Sequence, residues 1–565
     1  MLLIAMAGGA LGLDNGFTKP PMGWSALYGA PFGSVDENIT RAAASGLASG
    51  GLLASGYEYV VLDDWYADRD AAGKIRGIPA KWPSGLPAVS TYIHSLGVKF
   101  GVYSAASQRT CGNYSASQFR EVEDAAVFAH EWQIDYLKYD SCIYNNGVAA
   151  RARYLTMSRA LNATGRQIFY SVEGWSGAEA ATQGDWGPQL ANMWRTGSDI
   201  WPDWDLCILN NLYQANNVAQ FMVPGRAWND PDMLQPPAAI PGSCRKPGLT
   251  FEESRAQFVL WASMKTPLML GIHYDQLATL ATDFPAYYQL VTNEEIIAID
   301  QDPSRAAVLV AAMPSAAQQA PGSAAAPLAI TTQPCGAPTR VDQQWVPGAT
   351  KGTIQAKGTA LCLDASNAVH PGGAVAVPCA TATAFGLAHD SQFHTAPLLG
   401  GGSASPPHCL HANGGSGAAD ILTVKACESD GLFPPAFGDN SVSAQTFVWD
   451  TMTGNIVLGA SGQCVTLGLD NMPAAPPKPY TNNGTLQHEV WAGPMSTGKQ
   501  VLVLFNKGAD AAAISAAPSL FKQPAAGATL PVRDVLAKKN LAPLAAGAPL
   551  TATVASHGVQ LFMLG

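Results

Sequence analysis

Three short apolar runs in this chain each end on carboxylates: Val60-Val61-Leu62-Asp63-Asp64, Tyr136-Leu137-Lys138-Tyr139-Asp140 and Trp194-Arg195-Thr196-Gly197-Ser198-Asp199. A β-rich run that stops at a charge is the mark of a buried parallel strand delivering a side chain to one rim of a barrel. Two acids brought to one pocket in this way can cleave a glycosidic bond, one attacking and one protonating the leaving oxygen. Lys138 lies two residues before Asp140, so on a strand the two share a face, and the lysine would keep the carboxylate ionised. An ordinary strand-end salt bridge would use the same pair. Adjacent acids such as Asp63 and Asp64 also suit a metal, yet no histidine or third carboxylate at ligand spacing accompanies them, and neither metal nor cofactor is expected.

The elements needed to hold these residues are legible between residues 20 and 305. Strand-like runs fall at Tyr57 to Leu62, Lys99 to Ser104, Tyr136 to Tyr139, Gln167 to Val172, Met193 to Arg195 and Pro267 to Ile272. Amphipathic stretches such as Gln118 to Trp132 and Ala149 to Leu161 lie between them, as crossover helices of a parallel sheet would. This alternation fits one (β/α)8 barrel over residues 13–310. A doubly wound nucleotide-binding sheet is disfavoured, because Gly8-Gly9-Ala10-Leu11-Gly12 precedes any strand and lacks the required spacing.

Past residue 310 the texture changes. An Ala/Pro/Gln/Ser-rich stretch suggests a linker over 311–330. A weak repeat fills 331–475, marked by Cys362-Leu363-Asp364, Cys409-Leu410-His411 and Cys464-Val465-Thr466 at one phase and Cys335, Cys379 and Cys427 at the other. Cys362 with Cys379, and Cys409 with Cys427, can each close a small loop within a unit. The leftovers, Cys335 and Cys464, would then pair and staple the two ends of a threefold all-β module together. A module with adjacent ends can be inserted into another domain. Strand-like runs at Glu489 to Trp491, Gln500 to Asn506, Ala528 to Val535 and Gly558 to Leu564 predict a C-terminal antiparallel β-sandwich over 486–565.

Composition bounds the class. At 565 residues several domains are expected, and 14 Trp, 17 Tyr and 18 Phe supply their cores. A net charge of −10 leaves no basic face for phosphate backbones, so nucleic acid is not an expected partner. No run of membrane-spanning length appears. Met1 to Ala7 has the look of a clipped secretory leader, placed within 1–12. Glycosylation sequons begin at Asn38, Asn113, Asn162 and Asn483, and with ten cysteines they favour a secreted, vacuolar or lysosomal protein.

Leu13-Asp14-Asn15-Gly16, Pro20-Pro21-Met22-Gly23-Trp24, Leu62-Asp63-Asp64, Gly101-Val102-Tyr103, Leu137 to Cys142, Trp228-Asn229-Asp230-Pro231-Asp232-Met233-Leu234 and Gln301-Asp302-Pro303 together resemble family 27 of the glycoside hydrolases, the α-galactosidases and α-N-acetylgalactosaminidases. The likeness covers about residues 13 to 305 and returns from about 488 to 565. The intervening repeat resembles a ricin-type β-trefoil lectin, set between barrel and sandwich. The resemblance implies a retaining exo-α-galactosidase acting on galactosylated glycans, as a monomer or homodimer. It makes Asp140 the nucleophile and Asp199 the general acid, with Asp230 or Asp232 as rival acids. Asp63, Asp64, Tyr103, Lys138, Glu173, Arg195, Asp232 and Trp24 would bind substrate, and Asp364 would serve a lectin site. It also implies a disulfide between Cys111 and Cys142. Glu173 fills the space where N-acetyl-accepting relatives carry a small residue, and so favours galactose. Gly174 to Gly177 fit neither pattern, Val172 replaces a usual cysteine, and Leu27 replaces a usual tryptophan. An α-N-acetylgalactosaminidase, a β-L-arabinopyranosidase and a non-catalytic galactose-binding protein are the alternatives. Cys207 and Cys244 would bridge two rim loops or remain thiols.

Overall fold

The computed structural model describes residues 15–141, 149–173, 186–241, 248–314, 486–525 and 527–565, together with isolated strands between 328 and 467. The chain divides into two compact units, the first holding residues up to Ala306 with 495–498 and 555–559, the second holding the rest.

In the first unit eight parallel strands form one sheet: β1 (Met22–Ser25), β2 (Tyr59–Val61), β3 (Lys99–Ala105), β4 (Tyr136–Asp140), β5 (Phe169–Val172), β6 (Met193–Arg195), β7 (Trp228–Asp230) and β8 (Leu268–Leu270). They pair in sequence order, and β8 returns to pair with β1, Met22 opposite Leu268. The remaining gap, between β7 and β8, is bridged by Leu234, which pairs in parallel with Leu270 and donates its N–H to the carbonyl of Met269 at 2.8 Å. The sheet therefore curls into the expected barrel. β1 and β7 have no strand signature in the sequence, because three- and four-residue strands with Trp and Asn in them carry no period of two.

The N-terminal end of the barrel is plugged by aromatic rings. Tyr136 stacks on Phe169 with ring centroids 5.2 Å apart, Tyr59 meets Tyr136 at 5.7 Å, and Trp228 stacks on Phe169 at 6.1 Å. Each such pair contributes about 0.5–1.5 kcal/mol beyond its burial. Gly23 makes room for this layer, since a Cβ there would lie 2.3 Å from the Tyr59 carbonyl oxygen. With one end filled by rings, polar chemistry is left to the other. The crossover helices are conventionally capped: Asp36 accepts from the N–H of Ile39 ahead of Glu37–Ser49, and Thr250 with Glu253 closes a capping box ahead of Phe251–Ser263. No helix among the described residues is long and apolar enough to cross a membrane.

In the second unit an antiparallel sheet runs in the order Val308–Pro314, Leu486–Pro494, Gln500–Asn506, Val559–Leu564, Val532–Asp534, Lys539–Asn540. This corrects the linker reading. Its first residues, 311–314, belong to a strand whose Ala311 pairs with Val490, and its last, from Leu328, to another. A composition rich in Ala and Pro hides strands whose partners lie far along the chain, Val490 for Ala311 and Ala376 for Leu328. The segment between Pro314 and Leu486 is thus inserted within the C-terminal sheet, between its first two strands, rather than between barrel and sandwich.

Of that insert the described strands fall into antiparallel groups: Trp345–Pro347 through Val375–Pro378, Phe385–Leu387 through Leu422–Ala426, and Phe447–Asp450 through Gln463–Leu467. Leu328–Pro334 pairs with Gln463–Leu467, Gln333 opposite Cys464, so the backbone brings the two ends of the insert together. Cys335, Cys379 and Cys427 lie outside the described residues, as do residues 1–14.

Candidate active site

Strand order decides which side chains meet. In the sheet Tyr103 pairs with Lys138, and Lys138 with Ser171, so β3, β4 and β5 are in register at the rim. Along β4 the alternation of side chains puts Lys138 and Asp140 on one face. Glu173 follows β5 and stays tied to the sheet, its N–H donating to the Tyr139 carbonyl at 3.0 Å. Arg195 ends β6, and Asp230 ends β7 directly opposite it.

Arg195 is the hub of the polar network. Its Nη1 lies 2.6 Å from Oε1 of Glu173 and 3.1 Å from Oδ1 of Asp199, its Nη2 3.2 Å from Oδ1 of Asp232, and its Nε 3.5 Å from Oδ2 of Asp230. Nζ of Lys138 lies 2.8 Å from Oδ2 of Asp63 and 3.2 Å from Oε2 of Glu173. All of these residues are buried except Lys138 and Asp199, whose side chains keep 12% and 30% of their surface open. Breaking one such buried pair leaves an uncompensated charge and costs about 3–5 kcal/mol.

Two cations among this many carboxylates leave negative charge in excess, and proton affinities rise accordingly. Burial first, and then the charge of Glu173, pushes the Asp140 carboxyl above its ordinary value, against the pull of Lys138, Tyr103 and the Ser141 N–H. The same two causes raise Asp199 to about 7, with Arg195 opposing them. Burial also raises Asp230, again against Arg195.

Among the described residues the Asp140 carboxyl accepts from the Tyr103 hydroxyl at Oδ2, 2.7 Å, and from the Ser141 N–H at Oδ1, 2.7 Å. Sγ of Cys111 lies 3.6 Å from Oδ2. Cys111 is disulfide-bonded, so its sulfur has no proton to donate. Its expected partner, Cys142, lies outside the described residues. So do Cys244 and Gly174 to Gly177, while Cys207 is a thiol.

Three expectations change in detail. Lys138 pairs with Asp63 and Glu173, and acts on Asp140 through space. The reason is geometric: a lysine stem reaches across the rim, to Glu173 after the adjoining strand and past β3 to Asp63 after β2, more readily than along its own strand. Tyr103 is 2% exposed and binds the Asp140 carboxyl rather than offering a face to a sugar. Trp24 is fully buried, its Nε1 donating to the Ile272 carbonyl at 2.8 Å, so it supports the site from the core and presents no surface to it. The paired acids also part company. Asp63 faces Lys138, whereas Asp64 accepts from the N–H groups of Trp65 at 2.7 Å and Gly112 at 2.6 Å.

How Asp232 is held has no signature in the sequence. It adopts φ +74°, a left-handed conformation that costs a non-glycine residue about 1–3 kcal/mol. Its N–H donates to Oδ1 of Asp230, its Oδ2 accepts from the Ile200 N–H, and its carbonyl accepts from Trp261 Nε1, each at 2.8 Å. The rival acids are therefore engaged in shaping the turn, which leaves Asp199 the more open carboxyl. Tyr28 likewise carries no signal in the sequence. It is buried against Trp201 with ring centroids 5.4 Å apart, and its hydroxyl has no partner among the described residues.

A parallel barrel with carboxylates gathered at its C-terminal rim, followed in the chain by an antiparallel β-domain, is the build of a carboxylate-dependent glycoside hydrolase. Residues 29–302 match the melibiase family described as alpha galactosidase A, and residues 485–564 match the alpha galactosidase C-terminal beta sandwich domain. Over 298 residues the chain is 38% identical to α-galactosidase 3 of Arabidopsis thaliana, which covers 52% of this chain and 63% of that protein, under two thirds of its length. Over 315 residues it is 36% identical to the α-N-acetylgalactosaminidase of Gallus gallus, covering 52% of this chain and 72% of the relative. The fold matches the crystal structure of α-galactosidase I from Mortierella vinacea with a TM-score of 0.60 at 22% identity, over 98% of each chain. The chain belongs to the melibiase family of α-galactosidases.

Proposed function

We propose that the chain is a retaining exo-glycosidase that removes terminal non-reducing α-D-galactosyl residues by double displacement. The observation that carries this reading is the pair of rim carboxyls: Asp199, whose proton affinity is raised and which Arg195 holds, and Asp140, which the Tyr103 hydroxyl and the Ser141 N–H orient and Lys138 faces through space. In the first step Asp140 attacks the anomeric carbon while Asp199 gives its proton to the departing oxygen. A covalent galactosyl-enzyme results. In the second, Asp199 takes a proton from water, which attacks the same carbon and releases Asp140. Substrate hydroxyls displace part of the internal pairing: Asp63 and Lys138 take those at one side of the ring, while Arg195, Asp232 and Glu173 serve the other. The Tyr103 hydroxyl holds the Asp140 carboxyl in its attacking orientation.

Glu173 supports galactose over N-acetylgalactosamine, because its carboxylate is locked between Arg195 and Lys138 and cannot swing aside for an acetamide. A matched set of nitrophenyl α-galactoside, α-N-acetylgalactosaminide and β-L-arabinopyranoside, with the first-formed anomer followed by NMR, tests the proposal. Preference for the α-galactoside with α-galactose appearing first is expected. Preference for either other glycoside, first release of β-galactose, or binding without turnover would overturn it.

For the insert we propose a ricin-type trefoil that binds galactosyl glycans through Asp364. Support comes from the antiparallel strand groups and from the pairing of the insert's two ends. A secreted, vacuolar or lysosomal location accords with the sequons and with the bonded state of Cys111.

A further inference from the structure

Phe32 is one of few large apolar side chains left open to solvent among the described residues, at 59% exposure. Its ring meets that of Trp65 edge to face, with centroids 4.3 Å apart and planes at 61°. Trp65 directly follows Asp63 and Asp64 and adopts φ +69°. A bulky residue reaches that conformation only where its surroundings enforce it, and such strain gathers at functional sites. Here the enforcement is visible. The Trp65 N–H donates to Asp64 Oδ1, and the indole edge lies so close to Gly112 that a Cβ there would sit 2.4 Å from Trp65 Nε1.

The contacts run without a break from the chemistry to the surface. Asp140 touches Cys111, the adjoining Gly112 binds Asp64 through its N–H and packs on Trp65, and Trp65 carries Phe32. The galactosyl unit of an exo-acting enzyme occupies the buried end of such a site, so the part of the substrate that reaches open aromatic surface is the leaving group. A pyranose presents C–H groups on one face and hydroxyls at its edge, which suits an aromatic ring beside polar side chains. Two rings cover about one sugar. They fall far short of the roughly 1,000 Å² that a protein partner would need.

We propose that Phe32 and Trp65 form the subsite for the first sugar of the leaving group, an assignment that rests on the glycosidase reading above. Its test compares kcat/KM on melibiose, whose leaving group is a sugar, with kcat/KM on α-galactosyl fluoride, whose leaving group has no ring. Phe32→Ala is expected to lower the ratio of the two about fivefold, the size of one aromatic contact, mainly through KM on melibiose, and Phe32→Tyr to restore it. An unchanged ratio in Phe32→Ala, or a ratio that Phe32→Tyr fails to restore, would overturn the subsite. Failure of the unaltered protein to hydrolyse galactosyl fluoride would instead strike the glycosidase reading.

Discussion

In the proposed mechanism Asp199 has to carry a proton into the reaction and Asp140 has to lack one. Each carboxyl is raised by burial and by the charge of Glu173. With Asp199 at about 7, kcat/KM should fall as pH rises through neutrality, because the acid form is lost. On an aryl galactoside with a good leaving group, Asp199→Asn should keep residual turnover and lose this alkaline limb. An identical limb in the variant would assign it to another group. The same shift bears on stability. Asp199 binds more protons folded than unfolded between its ordinary value and about 7, so it costs stability progressively as pH rises through that window. Asn carries no such cost. The melting temperature of Asp199→Asn should exceed that of the parent by a margin that grows from pH 4 to 7 and then levels off; a margin independent of pH would contradict the assignment.

At the scale of elements, the site exists because neighbouring strands end at one level. Lys138 on β4, Glu173 after β5 and Arg195 on β6 form a row of cation, anion and cation across adjacent strands. Glu173→Gln should remove the charge that raises both reacting carboxyls and free the two cations to act on them. The alkaline limb should then move to lower pH while kcat/KM on galactosides falls by about tenfold or more. A limb that moves to higher pH would show that Glu173 acts otherwise. How much of this could be read from the chain follows from reach. The strand-end acids were legible because strands present alternate residues in a fixed way, and β2 to β6 fell where apolar runs placed them. The Lys138–Asp63 pair and the Tyr103–Asp140 bond were not, since they cross between strands and depend on register. The buried place of Trp24 and the turn at Asp232 depend on packing from β8 and the helix Phe251–Ser263, which no local pattern reports.

Across the whole chain, the insert interrupts the C-terminal sheet yet returns to its starting point, since Leu328–Pro334 pairs with Gln463–Leu467. Val308–Pro314 and Leu486–Pro494 pair directly, so the sheet closes without help from the insert. Deleting residues 335–464 should therefore spare hydrolysis of a small aryl α-galactoside. The shortened chain should be retained less on a galactosyl polymer, because it loses the attachment proposed for the insert. Equal retention of both forms would reduce the insert to a spacer. The point of insertion is hidden in the sequence because a strand of Ala, Val and Met looks like linker until its partner is known.

The central claim is that Asp140 attacks the sugar, and Asp140→Asn with added azide tests it most directly. The variant should lose turnover of an aryl α-galactoside by about 10³-fold or more, and azide entering the vacated face should restore it with β-galactosyl azide as product. Substantial hydrolysis by the variant without azide, or rescue that yields the α-azide, would contradict it.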